Sequence, residues 1–580
     1  MMLDRCDGNL SELNYGEIVA QTLAMYDVKH FFFGGGDPHE LFVGLEDANI
    51  NMILCRSEKA AAYMADAYAR ISYKPGVCYA QPGPGATNLA AGLAEPYFAS
   101  SPVIAITTGW PPHILVRQRY QGIDQLQPFQ AVTKWNMLLT SLESTPNMLR
   151  QAFRESTTGN PGPVHLDVPM DIAKSRAEVK LSADKTFAKY PALRNAPDQE
   201  KTQQAAILLA NSDNPVIIAG HGAMLSQAWN EVLELATVLS IPVATTLSAK
   251  GIIPEDHPFS IGVVGSYGRK SANKIVNDSD LVFFVGCRTG SMATDSWTVP
   301  KSGTKVIHLD VDARELGRNY ATEVALLGDA KLGLQNLIGF LKNIAKKSRG
   351  SRIEQIQKIV KEWKRIRDSE MSSDEVPIKP PRVIKEIRNF LGSEDILVAD
   401  TGYMAAWTGA FYDTHKAGRT YIRAAGSLGW AFPASMGAWL AAPQRKVVCV
   451  TGDGGIGYHL TELETALRCK IPTITVILNN RSLAFEYHIL KYFYGGKAYA
   501  SSDFYDVDYG KVATAYGGYG IRVDKPGEIA GALKQASESG KPSVIDVLID
   551  KESIAPISYY EKEWERMGSP PALQKLQRQL

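Results

Sequence analysis

No run of about 18 consecutive apolar residues occurs in the chain, so a membrane-spanning helix is not expected. Cysteine is scarce. Six thiols (Cys6, Cys55, Cys78, Cys287, Cys449 and Cys469) are scattered over 580 residues, and no two form a C-x-x-C pair. That scatter argues against a disulfide framework or a cysteine zinc site and fits the reduced thiols of a cytoplasmic protein. An excess of charge is also missing: 62 Lys and Arg stand against 61 Asp and Glu, for a net charge of +1. No basic surplus remains to neutralise phosphates, so nucleic acid is not an expected partner. The opening residues, MMLDRCDGNLSELN, lack the apolar stretch of a secretory leader, and the expected location is the cytoplasm. Wholesale disorder is excluded by a composition that is 45% hydrophobic and 21% charged. At this length a single core does not suffice, and several domains are required.

What is present is a regular alternation of short apolar runs and helical segments, the pattern of α/β domains with parallel sheets. Three doubly wound parallel-sheet domains are expected. The first, over residues 1–185, has strand-like runs at 30–34, 76–80, 102–108 and 162–168, with helices over 57–70 and 87–99. A polar, proline-dotted linker follows. The second domain, 195–345, has runs at 214–220, 241–246, 280–286 and 305–311. The charged stretch 342–381 reads as a surface helix and a linker. The third domain, 375–555, has runs at 395–400, 446–455, 473–480 and 543–549, and residues 556–580 form a polar tail.

The most informative segment lies in the third domain. KVVCVT runs into Gly452-Asp453-Gly454-Gly455, which places a carboxylate at the carboxyl end of a strand, where doubly wound sheets bind ligands. The flanking glycines let backbone N–H groups approach an anionic ligand. A second strand, TITVILNN, ends in Asn479 and Asn480. One carboxylate, one amide oxygen and a backbone carbonyl, completed by diphosphate oxygens and water, suit octahedral Mg²⁺.

GDG, twenty-four intervening residues and then NN resembles the motif of enzymes that use thiamine diphosphate with Mg²⁺. The resemblance implies that Asp453, Asn480 and the carbonyl of Ser482 hold the metal. It extends over about residues 12–555, in the order pyrimidine-binding, middle and diphosphate-binding domain shared by acetolactate synthases and by pyruvate and benzoylformate decarboxylases. SEKAAAYMADAYAR (57–70) is similar to the family's H-E-x-x-A-x-x-M-A-D-G-Y-A-R segment, and departs from it at Ser57 and Ala67. Glu58 then takes the place of the carboxylate that shares a proton with the cofactor's aminopyrimidine and activates the thiazolium carbon. QPGPGATN (81–88) resembles the loop over the aminopyrimidine, which makes Pro82, Gly83 and Asn88 cofactor contacts. AAGSLGWAFPASMGA (424–438) resembles the stretch whose bulky apolar residue, here Leu428, wedges the cofactor, with Gly426 and Ser427 beside it. Asp400-Thr401-Gly402-Tyr403-Met404 matches a strand end that helps hold the diphosphate, and Phe485 is a further expected contact.

Family membership implies addition of the activated cofactor to a carbonyl and storage of the resulting carbanion as an enamine. The substrate is then a 2-oxo acid or a related ketone. Two endings are open: acetolactate-synthase-like carboligation to a carbonyl acceptor, or protonation in a non-oxidative decarboxylase or other C–C lyase. A catalytically silent relative is the third reading, opposed by the intact Glu58, Asp453 and Asn480. Gln121 and the VTKW segment at 132–135 resemble the synthases. Asp37 and Glu486 resemble decarboxylase acids, and as a close pair facing the substrate they would share one proton. The decarboxylases' adjacent His-His pair is missing, and His39, His113 and His488 are the candidate replacements. Some relatives bind FAD or ADP in the middle domain. The Arg-Phe-Asp-Asp sequence of FAD-binding synthases is CRTGSMATD here, so a purely structural middle domain is favoured over either cofactor. Active sites between the pyrimidine domain of one subunit and the diphosphate domain of another imply a homodimer, or a homotetramer built from dimers.

Overall fold

In the computed structural model, which describes residues 10–559 and Lys562, the chain forms three six-stranded parallel sheets covered by helices. The first sheet comprises His30–Phe33 (β1), Asn51–Leu54 (β2), Gly76–Ala80 (β3), Val103–Gly109 (β4), Trp135–Leu138 (β5) and Val164–Pro169 (β6), in the order β2-β1-β3-β4-β6-β5. The second comprises Pro215–Ala219 (β7), Val243–Thr245 (β8), Ser260–Val263 (β9), Leu281–Val285 (β10), Lys305–Asp310 (β11) and Val324–Leu327 (β12), in the order β9-β8-β7-β10-β11-β12. The third comprises Ile396–Ala399 (β13), Tyr421–Arg423 (β14), Val447–Gly452 (β15), Ile474–Asn479 (β16), Tyr519–Val523 (β17) and Ser543–Leu548 (β18), in the order β14-β13-β15-β16-β18-β17. The first and third sheets therefore share one topology, strand for strand. A small antiparallel ribbon pairs Ser11–Asn14 with Arg176–Val179.

The sequence expectation located the four inner strands of every sheet and none of the six edge strands. Inner strands are covered on both faces and read as apolar runs. The edges are three to four residues long in β2, β12 and β14, and in NMIL of β2 and VALL of β12 burial is interrupted or one-sided, so they stand out less than the inner runs.

Seven helices position the site: Glu58–Ser72 (α1), Pro84–Phe98 (α2), Tyr403–Phe411 (α3), Ala431–Ala441 (α4), Asp453–Ile456 (α5), Glu462–Arg468 (α6) and Ala484–Phe493 (α7). Ser57 caps α1 by accepting the Ala60 N–H at 3.1 Å. The alanines of α1 keep its surface low, so α4 of the third domain packs directly on it. A Cβ at Gly437 would lie 2.1 Å from the Met64 carbonyl oxygen, so only glycine admits this approach. The first and third domains consequently share one continuous apolar core.

A buried ionic group is embedded in that junction. Arg70 donates to both oxygens of Asp66 (2.6 and 2.8 Å), to Glu95 (3.1 Å) and to the Arg423 carbonyl (2.7 Å). Its guanidinium lies over the Trp430 ring at 4.5 Å, and the Trp430 N–H donates to Asp66 at 2.9 Å. Replacing Arg70 by methionine strands two buried carboxylates. The expected loss is about 3–5 kcal/mol of stability, read as a fall in the urea midpoint.

The charged stretch 342–381 forms the helix Gly350–Glu370, which is less solvated than its composition predicts. Trp363 is sandwiched between Arg269 and Arg367, and Arg367 pairs with Asp413 at 2.6 Å. The start of the expected tail crosses to the middle domain, where the Ser558 N–H donates to the Ser266 carbonyl at 3.1 Å and Lys562 pairs with Asp295 at 3.0 Å. The remainder of 556–580 lies outside the described residues. No helix among the described residues is long and apolar enough to cross a membrane.

Candidate functional site

Glu58 opens α1 directly after β2, at the carboxyl edge of the first sheet. Its carboxylate lies against two glycines: a Cβ at Gly34 or Gly85 would come within 2.9 or 3.1 Å of Oε1. The absence of side chains there creates the space the carboxylate occupies. The Asn88 amide donates to Oε2 at 3.2 Å, and Glu58 is half-buried in the single chain. Pro82 and Gly83 are buried beside it. Gly83 adopts φ +66, and a Cβ there would meet the Gln121 carbonyl at 2.6 Å, which seats the 82–83 turn on Gln121.

Two residues that sequence reasoning missed brace this turn. The Gln125 oxygen accepts the Gly83 N–H at 2.9 Å, while its amide donates to Asp167 at 2.6 Å. Asp167 is buried, and desolvation pushes its carboxyl up to about 6. Asp167 sits inside the β6 run as its one charged residue, and that is the signal which could have found it.

In the third domain, β15 ends at Gly452 and α5 begins with Asp453. Asp453 Oδ2 and Asn480 Oδ1 converge on a single donor, the Ser482 N–H, at 3.0 and 3.2 Å. The three expected metal-binding positions are thus brought together. Among the described residues no cationic side chain pairs with Asp453, and desolvation pushes its carboxyl up to about 7. The buried Ser482 hydroxyl has no hydrogen-bond partner among the described residues. Among the described residues no three His, Cys, Asp or Glu side chains cluster at a metal-binding geometry. A cation at this place would therefore meet one carboxylate plus amide and carbonyl oxygens, a donor set suited to Mg²⁺ held largely by phosphate and water.

Neighbouring loops are tied together by Asp400. It accepts N–H bonds from Thr401 (2.9 Å) and Gly429 (3.1 Å) and a hydroxyl bond from Thr451 (2.8 Å), and a Cβ at Gly455 would strike it at 2.7 Å. Burial pushes the Asp400 carboxyl up to about 6. Gly402 starts α3 at φ +64, and Gly426, Ser427 and Leu428 form the loop before α4. Gly454 lies under Leu483 and Phe504, so the segment after Asn480 folds back over the glycine-rich turn.

The remaining candidates are dispersed. Asp37 pairs with His39 at 3.2 Å and Lys174 at 3.4 Å, and its carbonyl accepts from Tyr79 and Thr108. His39 and His113 are exposed. Glu486 is exposed on α7, and no hydrogen bond or ion pair among the described residues joins it to Asp37 within one chain. His488 is fully buried. Its Nε2 lies 3.1 Å from the Lys551 carbonyl and its Nδ1 lies 2.6 Å from the Tyr403 hydroxyl. A carbonyl only accepts, so Nε2 carries the proton and Nδ1 accepts from Tyr403. Desolvation lowers the imidazole to about 4, which makes His488 a neutral packing group that fixes Tyr403. Phe485 meets the Tyr403 ring edge-on and lies tilted against Tyr559.

A cavity of about 370 Å³ lies at the switch point between β7 and β10, where the middle domain meets the first and third domains. Gly222 and Gly286 line it. Arg288, Arg419 and Arg423 also line it, and among the described residues none of the three has a carboxylate in ion-pair contact. Arg419 Nη2 is buried, and among the described residues it has no hydrogen-bond partner. His221 Nδ1 donates to the Ser248 carbonyl at 2.9 Å, which leaves a buried, unpaired acceptor at Nε2. Arginines without carboxylate partners and a buried histidine acceptor thus surround a Rossmann-type crevice, a lining compatible with a nucleotide diphosphate.

Residues 13–128 match the model of the thiamine pyrophosphate enzyme N-terminal TPP-binding domain, 202–337 the central domain, and 400–547 the C-terminal TPP-binding domain. Fold and site together define a thiamine-diphosphate enzyme whose two cofactor-binding domains flank a central one. The probable acetolactate synthase large subunit of Methanocaldococcus jannaschii is 36% identical over 554 residues, covering 93% of each chain. That of Methanococcus aeolicus is 34% identical over 559 residues, again 93% of each. The acetolactate synthase isozyme 3 large subunit of Escherichia coli is 27% identical, over 93% of this chain and 95% of its own. The chain belongs to the acetolactate synthase large-subunit family of thiamine-diphosphate enzymes.

Proposed function

We propose that the protein is a carboligase that decarboxylates a 2-oxo acid and joins the remaining acyl unit to the carbonyl of a second 2-oxo acid, as the names of its relatives indicate. The observation that carries this reading is similarity to acetolactate synthases along the whole three-domain chain. Thiamine diphosphate, when bound, supplies a carbon nucleophile that adds to the donor carbonyl and holds the electrons released with CO₂. Glu58, admitted by Gly34 and Gly85, holds the proton exchanged with the aminopyrimidine. Pro82, Gly83 and Asn88 form the wall over that ring, and Leu428 faces it from the other domain. Asp453, the Asn480 side chain and the Ser482 carbonyl would hold Mg²⁺, which would offset the negative charge of the diphosphate there. Gln121 lies at the substrate end of the pyrimidine half-site.

The Glu58 and Asp453 half-sites lie on different domains, and we infer that they are completed across a homodimer. Val116 and Tyr120, close to Gln121, and Tyr505, next to Phe504 over Gly454, are 83%, 79% and 87% exposed in the single chain, which supports a covered face there. For the arginine-lined cavity the fit favours FAD or ADP. Arg288, Arg419 and Arg423 would meet the diphosphate, and His221 Nε2 would accept from a ligand hydroxyl or N–H. Thermal shifts with ADP and FAD, and the absorbance of flavin released on denaturation, test this. No shift and no flavin would return the middle domain to a structural role.

The reaction is tested by ¹H NMR of acid-quenched mixtures of protein, thiamine diphosphate and Mg²⁺ with 2-oxo acids, with and without a second carbonyl compound. Carboligation predicts a 2-hydroxy-2-alkyl-3-oxo acid or a 2-hydroxy ketone and little free aldehyde. Aldehyde released from the oxo acid alone would establish the decarboxylase reading, which Glu486 and Asp37 favour. Under carboligation Glu486→Gln leaves turnover within about threefold of the parent, whereas a protonating acid at 486 would make the loss 10²-fold or more.

A further inference from the structure

We propose that Glu462 and Glu95 are reciprocal positioning residues, each reaching from one thiamine-binding domain to fix the backbone that presents the other domain's cofactor-facing residue. The first and third sheets match strand for strand, so α1 after β2 corresponds to α4 after β14, and α2 after β3 corresponds to the α5–α6 segment after β15. Glu95 on α2 and Glu462 on α6 are therefore counterparts, and both are buried.

Their bonds mirror each other. Glu462 Oε1 accepts the N–H groups of Arg56 (2.9 Å) and Ser57 (3.1 Å), and Oε2 accepts from Arg56 N–H (3.1 Å) and the Thr465 hydroxyl (2.7 Å). From the same helix Arg468 donates to the Leu54 carbonyl. The backbone from 54 to 57, which delivers Glu58, is thus held at three points by α6. Glu95 in turn accepts the N–H groups of Ala425, Gly426 (3.1 Å) and Ser427 (2.9 Å), the residues that deliver Leu428. Each carboxylate serves as an acceptor for successive N–H groups ahead of a helix, where a backbone turn otherwise leaves donors open.

This arrangement has a functional consequence. α6 starts nine residues after Asp453 on the same short segment, so the turn that binds diphosphate is mechanically continuous with the support of Glu58. In the proposed dimer those two residues serve different active sites, and Glu462 then links them.

The inference rests on Glu58 as the activating residue, and the experiment separates the two claims. Exchange of the thiazolium C2 proton with solvent deuterium reads activation without any substrate. It is measured by quenched-flow NMR at saturating thiamine diphosphate and Mg²⁺, together with cofactor Kd and thermal midpoint, for Glu58→Gln, Glu462→Ala, Glu462→Asp and Glu462→Gln. Removal or shortening of the acceptor should slow exchange by about tenfold or more with Kd little changed, while glutamine, which keeps an oxygen for the two N–H groups, should restore it. Should alanine prevent folding, the aspartate variant carries the test, since it retains the charge and loses the reach. Parent-like exchange in the alanine or aspartate variant, a fall in midpoint alone, or equal impairment by glutamine would overturn the proposal. Parent-like exchange in Glu58→Gln would instead overturn the role of Glu58 itself.

Discussion

Glu58→Gln should lower kcat by about two to four orders of magnitude while leaving thiamine diphosphate affinity within a few-fold of the parent. The physical basis lies in the separation of shape from proton chemistry. Glutamine has the volume of glutamate, so it still fits the space left by Gly34 and Gly85 and still presents an oxygen to the Asn88 amide. What it cannot do is hold and release a proton. Steady-state kinetics with a 2-oxo acid, alongside a cofactor titration by intrinsic fluorescence, checks both halves. A fully active variant would remove Glu58 from the activation step, and a large loss of affinity would make it a binding residue instead.

Asp453→Ala should produce the opposite pattern. It removes the single carboxylate of the expected metal set, so Mg²⁺-dependent cofactor affinity should fall by about 100-fold or more. Calorimetric titration of thiamine diphosphate with and without Mg²⁺ should show strong metal dependence in the parent and almost none in the variant. The parent's gain in thermal stability on adding cofactor and metal should also disappear, because that gain is binding free energy expressed as folding stability. Asp453 is buried, no cationic side chain among the described residues pairs with it, and its Oδ2 converges with Asn480 Oδ1 on the Ser482 N–H, which is the geometry that places it for a cation. Unchanged affinity in the variant would mean that the diphosphate is held by backbone groups alone.

Much of the site was legible because local chemistry placed it. Asp453 and Asn480 stand at the ends of two apolar runs, and Glu58 follows a third short strand into an alanine-rich helix. The residues that brace these groups were not legible. Gln125, Asp167, Glu95 and Glu462 brace the site through contacts between 42 and 406 positions away in sequence, and nothing in their immediate surroundings specifies the partner. Glu95 is only one charge in an apolar helix until folding brings the 425–427 loop to it. His488 illustrates the converse: as a histidine beside the expected substrate segment it read as chemical, yet both of its nitrogens are spent inside the fold.

The sequence by itself determined the inner strands, the three-domain α/β plan and the identity of the groups at the strand ends, because full burial imposes apolar runs and ligand binding imposes glycine, carboxylate and amide in a fixed local order. Tertiary structure decided the edge strands, the packing of α4 on α1 through Gly437, the reciprocal reach of Glu95 and Glu462, and the arginine-lined cavity where the three domains meet. Each of these depends on surfaces that meet only after distant segments fold together, and short edges and single buried charges leave no periodic mark in the chain.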